Sequence, residues 1–369
     1  MPDLMKLMED WNGYASASDI GKAEGYERKL TEVVDLLSNA KGLPAHKHEY
    51  LIREVLTTSD FPLLFGDVLQ RQMLATYKAA PPVWKPFTKV STVPRMAPHI
   101  GGKRFSMSGG DQVLDKIVEK GEYLASDRVE KQYDITVNKY GRQFDISWET
   151  MINDDLGALK DTPERFARAA VRTEHRIVTT LYARNAVTYI GAHGNMAAGA
   201  LTIANLETGL EAMAAFVDGA GEPIMNRAKY LVVPPALEMT ALAILNSTTM
   251  MRADAGAPAP YPTTNVVAKA GLTLVVDPYL PVIDTTDGAT GWYLFADPND
   301  IAALEVAWLR GHERPEICMK ASDKVTVGGG AINPMSGDFA TDNVFYRVRL
   351  VFGGVTEDWR ATYMGGSTL

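Results

Sequence analysis

The sequence is poor in the residues that most often carry cross-links or chemistry. Cys318 is the only cysteine in 369 residues, so no disulfide can form within the chain, and a lone cysteine suits a reducing compartment. No apolar run approaches the roughly 20 residues that span a bilayer, and the first residues lack the basic and then apolar pattern of a signal peptide. We therefore expect neither a disulfide-rich secreted protein nor a membrane protein.

Basic charge is also scarce relative to acidic charge. The 45 Asp and Glu residues outnumber the 37 Lys and Arg residues, which gives a net charge of −8 and a pI of about 5.4. A dedicated nucleic-acid binder needs clustered basic charge to neutralise phosphates, so the sequence disfavours that class.

Candidate metal and phosphate sites fail on spacing. His46 and His48 could share one face of a strand, but no third histidine or acidic residue stands at matching spacing. The segment 101–104 resembles part of a phosphate-binding loop. Its leading glycine is replaced by Ala97, however, and Arg104 stands where Ser or Thr should bind magnesium. We therefore predict no metal and no cofactor at either place.

Candidate nucleophiles and carboxylate pairs are equally isolated. The sequence has no Gly-x-Ser-x-Gly elbow, and Cys318 has no nearby histidine to activate it. The glycines at 328–330 lead towards Asn333 and Pro334 instead of a helix, so we interpret them as a turn. Asp154-Asp155 is better suited to capping than to acid–base work. The sequence thus predicts no catalytic residue, and we expect that the protein is not an enzyme.

The most informative stretch is 133–186, whose first half has a period of two. The alternating apolar residues are Tyr133, Ile135 and Val137 in one run and Phe144, Ile146 and Trp148 in the next. This period predicts two strands that each have one buried face. Between the runs, Gly141 can adopt a positive φ, so we expect a hairpin-like reversal at 139–142.

The second half of this stretch has helical spacing. The apolar face is formed by Phe166, Ala170, Thr173, Ile177 and Leu181. Thr162 suits the N-cap and Pro163 the first helical position. We expect a helix over 163–186, which would be roughly 36 Å long at the usual rise per residue.

The remaining elements are shorter. Apolar spacing predicts a helix from about 206, capped by Asn205 or Thr208, and another at 236–245. Short apolar runs predict strands at 230–235, 266–276, 292–296, 303–309, 325–327 and 345–354. We expect the last strands to pack on the long helix, which gives an α+β fold built from separated pieces of chain.

Two runs carry a family resemblance. The run KYGRQFDISWETMINDDLGAL at 139–159, with the Arg- and Ala-rich helix after it, resembles the major capsid (major head) proteins of tailed bacteriophages and prophages, the Mu-like group in particular. The closing run at 348–360, which ends in Asp358-Trp359-Arg360, supports this resemblance. It covers about 57–364 and implies the α+β fold named after phage Hong Kong 97.

The resemblance also implies a domain organisation. It predicts an N-terminal arm with leading helices at 1–83 and an extended loop at 84–147. It predicts a peripheral domain at 148–205 and 301–369, which contains the long spine helix 163–186. The axial domain is expected at 206–300, pointing to the fivefold and sixfold axes of a shell.

The function implied is self-assembly, without catalysis. Hexamers and pentamers of the chain would form the icosahedral shell that encloses double-stranded phage DNA. The implied partners are further copies, a portal, scaffold or decoration proteins, and DNA held by non-specific contact, with no membrane and no cofactor. The implied location is the virion, after assembly in the cytoplasm of the host bacterium.

Contacts between copies are expected from the arm and the extended loop. The charged residues of the loop that could pair across copies are Lys103, Arg104, Lys116, Asp111, Asp115 and Glu119. An exposed pair contributes only ~0–1 kcal/mol, so such pairs would set register more than strength.

Two alternatives stay open at this point. A bacterial compartment shell of the same fold, similar to an encapsulin, would enclose an enzyme and would have a cargo-docking groove but no DNA-packaging partner. An α+β enzyme with an unrecognised site would instead hold a metal or ligand in a deep polar pocket.

Overall fold

The computed structural model describes much of the chain after residue 69. The described residues are 70, 73–80, 82–96, 103–108, 117, 129–147, 156–218, 221–224, 226–252, 261–320, 322–324 and 337–366. They combine helices with sheets, which confirms the predicted α+β class. Residues 1–69 of the predicted arm and leading helices, 1–83, lie outside these residues, as does the strand predicted at 325–327.

The bounds of the elements are as follows. The α-helices are α1 (Leu156–Tyr182), α2 (Ile203–Ala214), α3 (Glu238–Asn246) and α4 (Leu280–Ile283). The strands are β1 (Lys89–Val93), β2 (Lys103–Ser108), β3 (Val129–Asp134), β4 (Val137–Ile146), β5 (Met196–Ala197), β6 (Ala228–Val233), β7 (Thr249–Arg252), β8 (Tyr261–Thr264), β9 (Thr273–Val276), β10 (Trp292–Ala296), β11 (Leu304–Leu309), β12 (Glu316–Met319), β13 (Val344–Thr356) and β14 (Thr362–Gly365).

The chain forms two compact units. The described residues of the first unit come from within 1–81, 140–170 and 314–350, and those of the second from 82–139, 171–313 and 351–369. The divisions fall inside α1, β4 and β13, so each of these elements contributes residues to both units.

The second unit contains a five-stranded sheet with the order β5-β14-β10-β6-β9. Strand β10 lies at its centre, antiparallel to both β14 and β6, and all five of its residues are buried. Burial on both faces explains why this strand reads as a continuous apolar run. The predicted axial segment 206–300 supplies β6, β9 and β10, whereas β5 and β14 come from outside it.

A second sheet begins at the predicted extended loop. Strand β1 runs parallel to β11, which in turn pairs antiparallel with the 352–356 part of β13. Trp84, just before β1, is 0% exposed, and its ring lies 5.8 Å from that of Trp308 and 5.6 Å from that of Phe352. The segment predicted as a loop, 84–147, therefore starts within a packed aromatic core.

The first unit has a smaller core. Phe144 stacks between Phe166 and Tyr346, with ring centroids 5.0 Å and 5.2 Å away. Val348 packs beside them in a cluster with Met73 and Ala167. Tyr346, Val348 and Met73 are buried here, and full burial of a large apolar side chain stabilises a fold by roughly 1.5–3 kcal/mol.

The hairpin predicted at 139–142 is wrong. Strand β4 runs without a break through these positions, and Gly141 lies within it. The reason for glycine here is close packing, because a Cβ at position 141 would lie 2.4 Å from the Val348 carbonyl oxygen of β13. A glycine inside a strand can mark such a backbone approach as readily as a turn.

The long helix is present, but its predicted ends are wrong. Helix α1 begins at Leu156 instead of Pro163. Pro163 removes one backbone hydrogen bond, to the Leu159 carbonyl, and Leu156, Ala158, Leu159 and Lys160 before it are good helix formers. The helix ends at Tyr182 because Arg184 adopts a left-handed conformation, with a φ of 47°.

Two other local predictions also differ from the structure. Helix α2 is capped by Thr202, whose hydroxyl accepts a hydrogen bond from the Asn205 amide, and not by Asn205 or Thr208. The strand predicted at 266–276 is confined to β9. Before it, the Asn265 side chain accepts hydrogen bonds from the amides that follow it, and this local capping favours a 3-10 turn over a strand.

Candidate assembly features

The middle of the segment predicted as an extended loop contains a two-stranded ribbon. Strands β2 and β3 pair antiparallel, from Lys103 opposite Asp134 to Ser108 opposite Val129, and neither pairs with another described strand. A two-stranded ribbon is marginal by itself and gains stability by packing against another surface. Of the charged residues predicted to act between copies, Lys103 and Arg104 lie in β2. The others, at 111, 115, 116 and 119, fall outside the described residues.

A buried carboxylate organises the second unit around α1. Asp277, just after β9, accepts hydrogen bonds from the hydroxyls of Thr179, at 2.6 Å, and Tyr182. Its other oxygen accepts the Tyr279 amide at 2.8 Å and lies 3.1 Å from His175 Nε2. His175, Thr179 and Tyr182 stand four and three residues apart, so one face of the helix presents all three to the carboxylate.

The electrostatics of this cluster favour a charged Asp277. Burial acts to raise the pKa of Asp277, but the neighbouring His175 and the hydroxyls of Thr179 and Tyr182 outweigh it, so the pKa lies below its ordinary value. Burial and the adjacent carboxylate raise the pKa of the Tyr182 hydroxyl well above its usual range, which keeps Tyr182 a donor. The hydrogen bonds to Asp277 thus form an internal network that joins α1 to the end of β9.

The corner after α1 is held in the same way. The Arg184 amide donates to the Tyr293 hydroxyl at 3.2 Å, and its guanidinium lies 3.8 Å from the carboxylates of both Asp284 and Asp287. The next residue, Asn185, donates its side-chain amide to the Leu181 carbonyl at 2.7 Å. These contacts offset the cost of a left-handed arginine and stop the helix at a fixed place.

The Asp-Trp-Arg run near the end of the chain has a packing role. Asp358 caps the 3-10 turn Trp359–Ala361 by accepting the Arg360 amide at 3.0 Å. The Trp359 ring is stacked on His193, with centroids 4.1 Å apart, and the Arg360 guanidinium lies 4.9 Å from it. These residues position the start of β14 and form no catalytic arrangement.

Several large apolar side chains of the second unit are exposed. They include Val187, Met239, Met251, Tyr261, Val266 and Val282. Single exposed apolar residues are ordinary on a protein surface. Met251 and Tyr261 differ because they lie on the β7–β8 ribbon, which pairs with no other described strand. This ribbon is a second element that is marginal without a packing surface.

The residues weighed as chemical candidates do not come together in the described part of the chain. Cys318 is half-buried in β12, opposite Arg347 of β13. Residues 46–48, 101–102, 154–155 and 328–330 lie outside the described residues. Among the described residues, no group of three or more His, Cys, Asp or Glu side chains could hold a metal ion. None of the described helices has the length and apolar character needed to cross a membrane.

Comparison with solved structures finds similar chains at low identity. A chain from Gordonia phage Cozz has 14% identity and a TM-score of 0.46, over 77% of this chain and 85% of that one. The capsid structure of cyanophage P-SCSP1u has 12% identity and a TM-score of 0.45, over 77% of this chain and 88% of that one. The holo-SrpI encapsulin complex from Synechococcus elongatus PCC 7942 has 9% identity and a TM-score of 0.46, over 79% of this chain and 94% of that one. No curated protein sequence matches the chain.

The sequence itself matches a family model. The model for the phage capsid protein family covers residues 130–365, which is more than half of the chain. The matched region contains β4, α1 and β13, the elements built from the runs that first carried the resemblance. The chain therefore belongs to the phage capsid protein family.

Proposed function

We propose that this chain is the major capsid protein of a tailed bacteriophage and that its copies assemble into an icosahedral shell around double-stranded DNA. The observation that carries the proposal is the match to the phage capsid family over residues 130–365. The role is structural, and the residues that perform it are those that bury surface between copies.

The two ribbons support this role. Strands β2–β3 and β7–β8 each form a two-stranded sheet without a further described partner strand. Elements of this kind gain stability when another surface covers them. In a shell, the covering surface comes from a neighbouring copy, and contacts that join unlike patches close only through the symmetry of the whole assembly.

The finer organisation follows the capsid resemblance. We assign 1–83 to an N-terminal arm with leading helices and 84–147 to the extended loop. We assign 148–205 and 301–369 to a peripheral domain, and 206–300 to an axial domain around hexamer and pentamer axes. The portal and the scaffold or decoration proteins are further partners. The net charge of −8 suits a wall that touches DNA without specific binding. Assembly takes place in the cytoplasm of the host bacterium.

The test is to purify the full-length chain and follow assembly by light scattering and electron microscopy. We expect closed shells of uniform size. Particles from lysed host cells should contain this chain as their most abundant protein, by mass spectrometry, and should protect double-stranded DNA from nuclease. Shells that hold an enzyme and no DNA would instead assign the chain to a bacterial compartment. A compact monomer with a ligand in a polar pocket, under all assembly conditions, would contradict the shell function.

A further inference from the structure

Phe339 is the most exposed large apolar side chain among the described residues, with 81% of its surface accessible. It lies in the first unit, on the loop 337–343 that precedes β13. Exposed side chains often lie on flexible segments that make few internal contacts. The loop around Phe339 has instead a dense set of internal hydrogen bonds.

Asp338 closes this loop from inside. Its carboxylate accepts hydrogen bonds from the Thr341 amide at 3.1 Å, the Thr341 hydroxyl at 2.7 Å and the Asn343 amide at 3.2 Å. The Asp338 amide also donates to the Asn343 carbonyl at 3.0 Å. These bonds, that of the Thr341 hydroxyl first, lower the pKa of Asp338, so the carboxylate is charged at neutral pH. The turn that presents Phe339 is therefore fixed by its own residues.

The same loop is tied to the rest of the first unit at three places. The Phe339 amide donates to Asp323 Oδ1 at 2.8 Å, and the Ser322 hydroxyl donates to the Gly337 carbonyl at 2.7 Å. The Asn343 side-chain amide donates to Asp145 of β4 at 2.9 Å. The backbone at Phe339 is thus held in place before any partner arrives, so the loop has little backbone entropy to lose on binding.

Charged side chains of both signs lie on the loop and on the segment 320–324 that holds it. Lys320 lies 3.6 Å from Asp323, and Lys324 pairs with Asp342. The loop and the segment that holds it therefore combine one exposed apolar residue with charges of both signs. Interface hot spots have a similar composition, with an aromatic residue that becomes buried on binding and a polar rim around it. A rim of mixed sign suits a protein partner better than DNA or an anionic membrane, which would require basic charge.

We propose that Phe339 is an anchor that inserts into an apolar recess on a neighbouring copy of this chain. The inference rests on the proposed shell function, because a shell places many identical copies side by side. A single projecting residue and a recess elsewhere on the next copy make a heterologous contact, the kind from which closed shells and rings are built. The rigid loop fixes the direction of that contact, so the anchor contributes to the angle between copies as well as to their affinity.

The experiment compares assembly of the full-length chain with three variants. Phe339→Ala removes the anchor, Phe339→Leu keeps an apolar side chain of similar reach, and Ala340→Ser changes the exposed neighbouring residue as a matched control. The critical concentration for assembly is measured by light scattering, and shell geometry by electron microscopy. We expect Phe339→Ala to raise the critical concentration about tenfold or more, because burial of a Phe ring is worth more than a tenfold change in affinity. The critical concentration of Phe339→Leu should stay within about threefold of the wild-type value, and that of Ala340→Ser should equal it.

Two further readouts make the result decisive. Denaturant unfolding of the unassembled Phe339→Ala subunit should match the wild type within about 0.5 kcal/mol, since only a small part of the side chain is buried in the subunit. A photoreactive phenylalanine analogue at position 339 should cross-link two copies within assembled particles. A wild-type critical concentration for Phe339→Ala, or cross-links only to a different protein, would overturn the inference while leaving the shell function intact. A wild-type chain that never assembles would contradict the shell function itself, and the anchor with it.

Discussion

Asp277 and Phe339 break the usual hydrophobic pattern in opposite directions. Asp277 is a charged residue that is 1% exposed, whereas Phe339 is an aromatic residue that is 81% exposed. The first is surrounded by partners from its own chain: His175, Thr179, Tyr182 and the Tyr279 amide. The second is held by its backbone alone, and its ring is left to solvent.

The difference teaches how to separate residues that serve the subunit from those that serve the assembly. A buried charge persists only when its chain supplies hydrogen bonds, so its removal should be felt in folding. An exposed ring on a rigid loop contributes little to folding, so its removal should be felt only when copies meet. The free energy of unfolding and the critical concentration for assembly therefore distinguish the two kinds of residue. The following predictions concern the free energy of unfolding.

The largest effect is expected from Asp277→Ala. The change leaves the Tyr182 hydroxyl and His175 without their buried partner, which should lower the free energy of unfolding by about 3–5 kcal/mol. Denaturant unfolding of the unassembled subunit measures it. Asp300→Ala, at an exposed aspartate of the same unit, is the matched control and should change stability by less than about 0.5 kcal/mol. Equal effects at both positions would remove the contrast between Asp277 and the surface.

Sequence periodicity predicted several of the regular elements that surround these two residues in the chain. The alternation of Ile135 and Val137 with polar residues and the apolar run of β10 reflect burial that regular geometry imposes. The spacing along α1 predicted a helix correctly, but of the five residues predicted to form its apolar face only Ala170 is buried. Such patterns depend only on which face of an element is covered. The family resemblance then supplied the assembly role, which periodicity does not contain.

The features that sequence analysis missed depend on contacts between distant parts of the chain. Asp277 reads as an ordinary loop residue after a strand, and its partners lie about 100 positions away, on α1. The same limit explains the error at Gly141, where a close backbone approach has the same local signature as a turn. Phe339 carried a weak signal, since a lone aromatic between Asp338 and Ala340 fits no buried pattern.

An intermediate effect is expected from Gly141→Ala. A Cβ at this position would lie 2.4 Å from the Val348 carbonyl oxygen, so β4 and β13 must shift apart in the first unit. Overpacking of this kind typically costs about 1–3 kcal/mol, which denaturant unfolding would detect. This test extends the comparison to a residue that serves the fold because it has no side chain.

The control for this change is Gly191→Ala. No atom lies within 4 Å of a Cβ built at Gly191, and its φ is not in the left-handed region, so alanine should be accepted there with a change below about 0.5 kcal/mol. If Gly141→Ala proved as mild as Gly191→Ala, the close packing of β4 against β13 would be wrong, and a turn at 139–142 would regain support.

The smallest and most specific effect concerns acid. Because the pKa of Asp277 is lowered in the folded chain from an ordinary value of 3.8, the carboxylate stabilises the fold fully above that value. This stabilisation is lost as the pH falls through the lowered folded pKa, since the unfolded chain then takes up the proton more readily. Asp277→Asn keeps the size of the side chain and cannot titrate, so its unfolding free energy should fall less steeply than that of the wild type below about pH 4. Parallel profiles for the two proteins in urea at pH 2.5–5 would mean that Asp277 is not held in its charged form, and the contrast with Phe339 would then reduce to one of exposure alone.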